Sequence, residues 1–177
     1  MPIPTLQTQR LTLRPHTLAD YPKTLALWTD PEVTRHIAPR PFTPEECWAR
    51  LLRYRGHWAF LNYGFWLIEE TQTGDFVGEA GFADHHRDID PPLTAPELGW
   101  ALAPSKQRQG YATEAVAAAV QWGLQNLPAQ QCIISPGHVA SIAIAKRCGF
   151  ERTHMATYKA NPTLVFQLAK HARPTQS

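Results

Sequence analysis

The sequence predicts one α/β domain, of the α+β kind in which helices cover a single sheet. Three observations carry this reading. Short apolar runs with period-two alternation, bounded by turn residues, recur along the chain. Stretches with apolar spacings of three and four separate them. The 177 residues suit one core, and no repeat, linker or low-complexity segment divides them. About seven strands and about four helices follow, in a core from about residue 8 to 170, with a polar, frayed tail over 171–177.

Residues 9–14 alternate polar and apolar, an opening strand with Leu11 and Leu13 inward and Pro15 at its end. Residues 20–28 are helical, with Pro22 in the first turn, where a missing N–H costs least. Residues 31–37 add a further helical turn. Thr43-Pro44-Glu45-Glu46 sets a hydroxyl at the N-cap, proline at N1 and a carboxylate at N3, which is a capping box. Trp48, Leu51, Leu52 and Arg55 continue that helix. Residues 64–70 and 76–83 are strands joined by a polar hairpin turn. Residues 84–96, rich in His, Asp and Pro, read as a long loop of the kind that borders binding sites. Residues 97–103 form a strand. Residues 110–125 form a helix whose Ala115 and Ala119 allow close approach to the sheet, with Trp122 on the same side. Residues 131–135 are a short strand, and 139–148 a helix closed by a left-handed Gly149, with Phe150 folding back. Residues 151–158 and 164–170 finish as antiparallel strands, connected through 159–163 with its Asn161-Pro162.

Composition removes several function classes. At 44% hydrophobic and 18% charged residues the chain is not a disordered polymer. A net charge of +2, without any Lys/Arg-rich run, argues against a nucleic-acid partner. No apolar stretch reaches the ~20 residues of a membrane span, and residues 1–10 lack the pattern of a signal peptide. A cytoplasmic protein without membrane contact is expected. Cys47, Cys132 and Cys148 are odd in number and widely spaced, as suits reduced, mostly buried thiols. His85-His86 with Asp84 and Asp88 is too weak a pattern to assign a metal, and none is expected.

Residues 101–114 are the most informative stretch. A strand runs into a short polar turn and then a helix whose start is pinned by Gly110. Such a start presents unpaired N–H groups aimed at one place, and glycine removes a side chain where a phosphate would approach. Ala112 leaves room, and Lys106, Arg108 and Gln109 add charge or hydrogen bonds. A plain glycine N-cap accounts for the same residues, and the physics alone balances the two readings. Neither a P-loop ending nor a dinucleotide fingerprint is present.

Gln107-Arg-Gln-Gly110-Tyr-Ala112 resembles the Gln/Arg-x-x-Gly-x-Gly/Ala signature of the GCN5-related N-acetyltransferase (GNAT) superfamily. Residues 96–100 before it and 111–115 after it are similar to the RimJ/RimL-like, ribosomal-protein-alanine acetyltransferase branch. A second family signature, Asn three residues before Ser, then Lys and Gly-Phe, resembles His138-Val-Ala-Ser141, Lys146 and Gly149-Phe150. Residues 10–14 resemble the family's first strand, so the likeness runs in order over nearly the whole chain. It implies a mixed, mostly antiparallel sheet, splayed between the parallel strands 97–103 and 131–135. It also implies acetyl-CoA as co-substrate and a primary amine, a protein N-terminus or a small amine, as acceptor. The amine would attack directly, in a ternary complex. Gln107, Arg108, Gln109, Gly110, Tyr111, Ala112 and Thr113 would cradle the pyrophosphate. Trp100, Ala101, Leu102 and Ala103 would pair with the pantetheine arm, and His138, Ser141 and Lys146 would complete the coenzyme contacts.

For proton transfer, Glu97 is the first candidate as base or amine holder, set against an equal reading as a solvated strand-edge carboxylate. The resemblance puts Ser141 near the coenzyme sulfur, where it would protonate the thiolate. A serine at a helix start is also often a simple cap. Tyr158 is a second candidate donor. His138 stands where Asn is usual; imidazole imitates the amide in one tautomer and also titrates near neutrality, and a spacer or coenzyme contact is preferred to an extra base. Trp28, Trp48, Tyr54, Trp58 and Phe60 could line an acceptor pocket with the 84–96 loop, although aromatic clusters are more often core. Asp84, Asp88 and Asp90 would favour a cationic acceptor. Two alternatives stand beside this. One is a non-catalytic acetyl-CoA sensor of the same fold; the other is transfer of a longer acyl group such as succinyl, served by Arg87 or Arg108. A homodimer fits the family, though no interface is evident.

Overall fold

In the computed structural model, which describes residues 2–168, every neighbouring strand pair except one is antiparallel. The end of the last predicted strand and the tail therefore lie outside the described residues. The strands are β1 (Leu6–Gln7), β2 (Leu11–Arg14), β3 (Phe65–Glu70), β4 (Phe76–Ala83), β5 (Ile89–Asp90), β6 (Glu97–Leu102), β7 (Gln131–Ile134), β8 (Phe150–Tyr158) and β9 (Asn161–Leu168). They form one sheet in the order β1-β2-β3-β4-β6-β7-β9-β8-β5. The helices are α1 (Tyr21–Trp28), α2 (Pro31–Thr34), α3 (Pro44–Leu61), α4 (Tyr111–Asn126) and α5 (Val139–Arg147). The seven expected strands are there, joined by the two-residue β1 and β5, and α2 makes a fifth helix.

Local chemistry sets the helix ends. Glu46 N–H donates to Thr43 Oγ1 at 3.3 Å and Thr43 N–H donates to the Glu46 carboxylate at 2.7 Å, completing the capping box of α3. That helix runs past the expected Arg55 to Leu61 and stops at Asn62, whose φ of 60° ends the helical path. Gly149, at φ 90°, closes α5 and lets Phe150 turn back into the core.

The β8–β9 connection differs from its expected form. It is a two-residue turn, Lys159-Ala160, with φ of 50° and 60°, and Asn161 and Pro162 already belong to β9 opposite Tyr158 and Thr157. Proline is tolerated at a strand start because few ladder bonds there need its missing N–H.

Leu11, Leu13, Trp66, Phe82, Ala115 and Val116 form the main core, where α4 packs on the sheet through its alanine face. Trp58, Trp66 and Trp122 meet edge to face at centroid distances of 5.0 to 5.4 Å. The aromatic acceptor wall considered from the sequence is not built. Trp28, Tyr54 and Trp58 are buried in the core, whereas Trp48 and Phe60, 42% and 86% exposed, face solvent. Cys47 and Cys132 are buried, Cys148 is half-buried, and all three are free. Among the described residues no helix is long and apolar enough to cross a membrane, and no group of three or more potential ligands is arranged to hold a metal ion.

Candidate functional site

The one parallel pair is β6 with β7, and it is joined only at Glu97 and Gln131. Gln131 N–H donates to Pro96 O at 3.1 Å, and beyond that point the strands diverge. β6 stays zipped to β4 as far as Leu102. Ala103 N–H donates to Val77 O at 3.0 Å, so alternation turns the peptide groups of Ala101 and Ala103 towards β4 and those of Trp100 and Leu102 into the gap. Leu102 O accepts Gln107 Nε2 at 3.1 Å, leaving the Trp100 peptide as the open edge.

The gap leads to the start of α4. Arg108 and Gly110 both have left-handed backbones, at φ 59° and 82°, the pattern of an anion-binding nest. The first bonded amide of the helix is that of Glu114, which donates to Gly110 O at 3.1 Å. The N–H groups of Tyr111, Ala112 and Thr113 therefore point out of the helix start, unspent on backbone carbonyls. A Cβ at position 110 would lie 3.2 Å from Arg10 Nη2 and sit at an unfavourable positive φ.

Several side chains hold this loop. Arg10 donates from Nε and Nη2 to Glu114 Oε2, each at 2.7 Å, and from Nη1 to Gln109 O at 2.9 Å. Its guanidinium also lies 4.4 Å over the Tyr111 ring. Lys106 Nζ is paired with Glu70 at 2.7 Å and Asp75 at 3.3 Å, and Tyr111 OH donates to the same Glu70 at 3.1 Å. Arg108 is exposed and Gln109 Nε2 closes the turn on Ser105 O at 2.8 Å. Sequence reasoning missed Arg10, Glu70 and Glu114 as supports. Their partners are 36 to 104 residues away, and no spacing rule reaches that far.

At the vertex of the gap, Arg87 grips Glu97 with both arms, Nε to Oε2 at 2.6 Å and Nη2 to Oε1 at 2.8 Å. Its Nη1 donates to Tyr158 OH at 2.9 Å. Two of the three proposed proton carriers are thus joined by one guanidinium, which the sequence had considered only for another acyl group. The 84–96 loop borders Glu97 and lines an open cleft of about 480 Å³ to which Tyr63 and Leu93 also contribute. Gln131 Oε1 pins the returning loop by accepting the N–H groups of Thr94 and Ala95 at 2.9 and 3.1 Å.

Ser141, buried on α5, belongs to a different contact set. Its Oγ is 3.3 Å from His138 Nε2, and the His138 ring stacks on His36 with centroids 4.5 Å apart. Burial, then the neighbouring His36 and Arg35, lowers the His138 pKa to about 4, so the ring is neutral at neutral pH. Lys146 lies exposed in the last turn of α5.

The donor set fits the coenzyme that the fold suggests: open amides and Arg108 suit a pyrophosphate, and the Trp100 peptide edge suits an amide-bearing arm. The family model of the acetyltransferase (GNAT) domain matches residues 10–151. The chain belongs to the GNAT acetyltransferase family. An uncharacterised N-acetyltransferase of Bacillus licheniformis, p20, is 28% identical over 152 residues, 84% of this chain and 83% of that protein. The crystal structure of an acetyltransferase from Agrobacterium tumefaciens is 30% identical with a TM-score of 0.82, over 96% of both chains. A putative GNAT-family acetyltransferase from Bordetella pertussis is 26% identical with a TM-score of 0.83, over 94% of this chain and 99% of that one. Solved ribosomal-protein and spermidine acetyltransferases, and AAC(6')-Ib in complex with parmomycin and acetyl-CoA, share the fold at 24% identity or less, which singles out no branch. Acetyl-CoA-dependent acyl transfer is the general activity of this GNAT protein.

Proposed function

We propose that this GNAT protein transfers the acetyl group of acetyl-CoA to a primary amine by direct attack within a ternary complex. The observation that supports it most is the continuity of one gap, from the free amides at the start of α4, along the Trp100 edge of β6, to a carboxylate at the vertex. The amine nitrogen bonds to the acetyl carbonyl carbon, the carbon–sulfur bond breaks, the amine gives up a proton and the thiolate takes one. Each oxygen of Glu97 accepts one N–H of Arg87 and keeps a lone pair for an ammonium or a water. The oxygen of Tyr158 accepts from Arg87, so its own proton is free to be donated. Ser141 is the other donor in this reading, restored through the neutral His138 beside it. Gln107 to Thr113, Trp100 and Lys146 serve the coenzyme. The motif order of residues 96–115 supports a RimJ/RimL-like relationship, with a protein N-terminus or a small amine as acceptor. Arg87 is committed to Glu97 and Tyr158 and Arg108 stands at the nest, which favours acetyl over succinyl.

Thiol release from acetyl-CoA, with succinyl-CoA alongside, tests this against a panel of small amines, polyamines, aminoglycosides and peptides with free N-termini. Acceptor-dependent release is expected with acetyl-CoA, and Glu97→Gln should lower kcat/KM by roughly 100-fold or more. Gly110→Ala should weaken coenzyme binding about tenfold by calorimetry, through strain at a positive φ. Tight coenzyme binding without release for any acceptor would replace the enzyme by a sensor.

A further inference from the structure

The two faces of the sheet are covered by different helices. Along β6, Leu98 and Leu102 pack with Ala115 and Val116 of α4, whereas Ala101, between them, packs with Leu27 and Trp28 of α1 and Val33 of α2. Alternation along a strand therefore puts α1 and α2 on the face opposite α4. Helix α5 sends Ala145 into the core on the α4 side. β6 and β7 are bridged at their first residues alone, so their far ends, near Ala101 and Ile134, flank the open part of the gap.

One contact ties these two walls together there. His36 lies two residues past α2, in a turn held by the N–H groups of Ile37 and Ala38, which donate to Thr34 O at 2.8 and 3.0 Å. His138 begins α5, four residues after the end of β7. The two rings stack with centroids 4.5 Å apart and planes 17° from parallel. His36 comes from the β6 wall and His138 from the β7 wall, so the stack spans the gap where the sheet does not. His138 is the N-cap residue of α5, yet its side chain makes no capping bond. Its ring is fixed instead by His36 and by the 3.3 Å contact of Nε2 with Ser141 Oγ. A single contact of that length leaves the ring free to turn about its Cβ–Cγ bond, and the stack removes that freedom.

Resting on the transfer reading, we propose that His36 is a positioning residue for the proton that the thiolate takes: its ring holds His138 where Nε2 meets Ser141, and so sets the direction of the serine hydroxyl. With the proton on Nε2, His138 donates to Ser141 Oγ and leaves the serine hydrogen for the sulfur. The serine gives that hydrogen up and takes the one from Nε2, while Nδ1 takes a proton from water. The ring ends neutral in its other tautomer, and the proton lost by the amine balances the one drawn from water.

The test is steady-state thiol release for His36→Ala, for His36→Phe, and for His36→Ala in a His138→Asn background. His36→Ala should lower kcat about tenfold with the KM for acetyl-CoA within about twofold, because the proton is needed only as the bond to sulfur breaks. His36→Phe keeps the stack and should restore most of the rate. In the His138→Asn background His36→Ala should have no further effect on kcat, since no ring is left to hold. The proposal is overturned if His36→Ala leaves kcat unchanged, if His36→Phe does not rescue it, or if the loss persists beside His138→Asn. NMR titration of the His138 ring adds a readout that needs no turnover. Burial, then His36 and Arg35, hold its pKa at about 4. His36→Ala opens the ring to water and removes one of these neighbours, so the pKa should rise towards the ordinary 6.5. A His138 titration that His36→Ala does not move overturns the proposal whether or not the protein turns over. A shifted titration in a protein that releases thiol with no acceptor sinks the transfer reading and supports the hold of His36 on His138.

Discussion

Glu79, on β4, has no exposure to solvent. Its carboxylate accepts Thr24 Oγ1 at 2.7 Å, Trp28 Nε1 at 2.8 Å and Tyr54 OH at 2.7 Å, with His16 Nε2 at 3.3 Å. A buried carboxylate is tolerable only with such partners. Burial alone would raise its pKa, but His16, Thr24 and Trp28 together bring it below the usual range. The unfolded chain therefore takes up this proton at a higher pH, about 4.3, than the folded one does. Stability from Glu79 is present above that pH and is lost as the pH falls through the lower folded value. Glu79→Gln should cost about 3–5 kcal/mol in urea unfolding and remove this part of the acid limb. His138 acts higher on the pH scale. Its folded pKa of about 4 lies below the unfolded value, about 6.5, so its contribution is full above 6.5 and fades as pH falls towards 4. His138→Asn should flatten the unfolding midpoint over that interval. Neither role was legible in the sequence. Glu79 occupies an ordinary polar slot in a strand, and its hydrogen-bond donors lie 25 to 55 residues away. Trp28 and Tyr54 suggested a ligand wall as members of an aromatic cluster, and their polar atoms found their partner, Glu79, only when β4 was laid beside α1 and α3.

Strand and helix identities were largely readable because each element signals itself locally through periodicity, a cap or a terminal glycine. The β8–β9 turn was misread because Asn161-Pro162 is a stronger turn signal than Lys159-Ala160. Register won: eight paired positions between the two strands fix the turn two residues earlier. The turn keeps the cost, since both of its residues have positive φ without being glycine. Ala160→Gly should stabilise the protein by about 0.5–1 kcal/mol, raising Tm by about 2–4 °C in calorimetry. β1 and β5 escaped notice because two residues carry no period.

The candidate coenzyme cradle was traceable in the sequence because it is nearly continuous, a strand, a turn and a helix start within residues 97–113. The surroundings of Glu97 were not, because the contacts of Arg87 with Glu97 and with Tyr158 depend on a loop that gave only its composition. The open edge of β6 makes a prediction for the whole sheet. Without coenzyme the Trp100 amide should exchange its hydrogen rapidly, and with coenzyme bound it should be protected, together with a rise in Tm that grows with coenzyme concentration. The lone bridge between Glu97 and Gln131 has another consequence, for how the chain reaches this form. On one side of it lie β1 to β4, β6 and α4, all within residues 6–126; on the other lie β7, α5, β8 and β9, all within 131–168. Only β5 crosses over. Each side can gather from neighbouring stretches of chain before the two meet, which keeps most loop closures short. A gene split between residues 126 and 131 should accordingly yield two fragments that reassemble into working protein when expressed together.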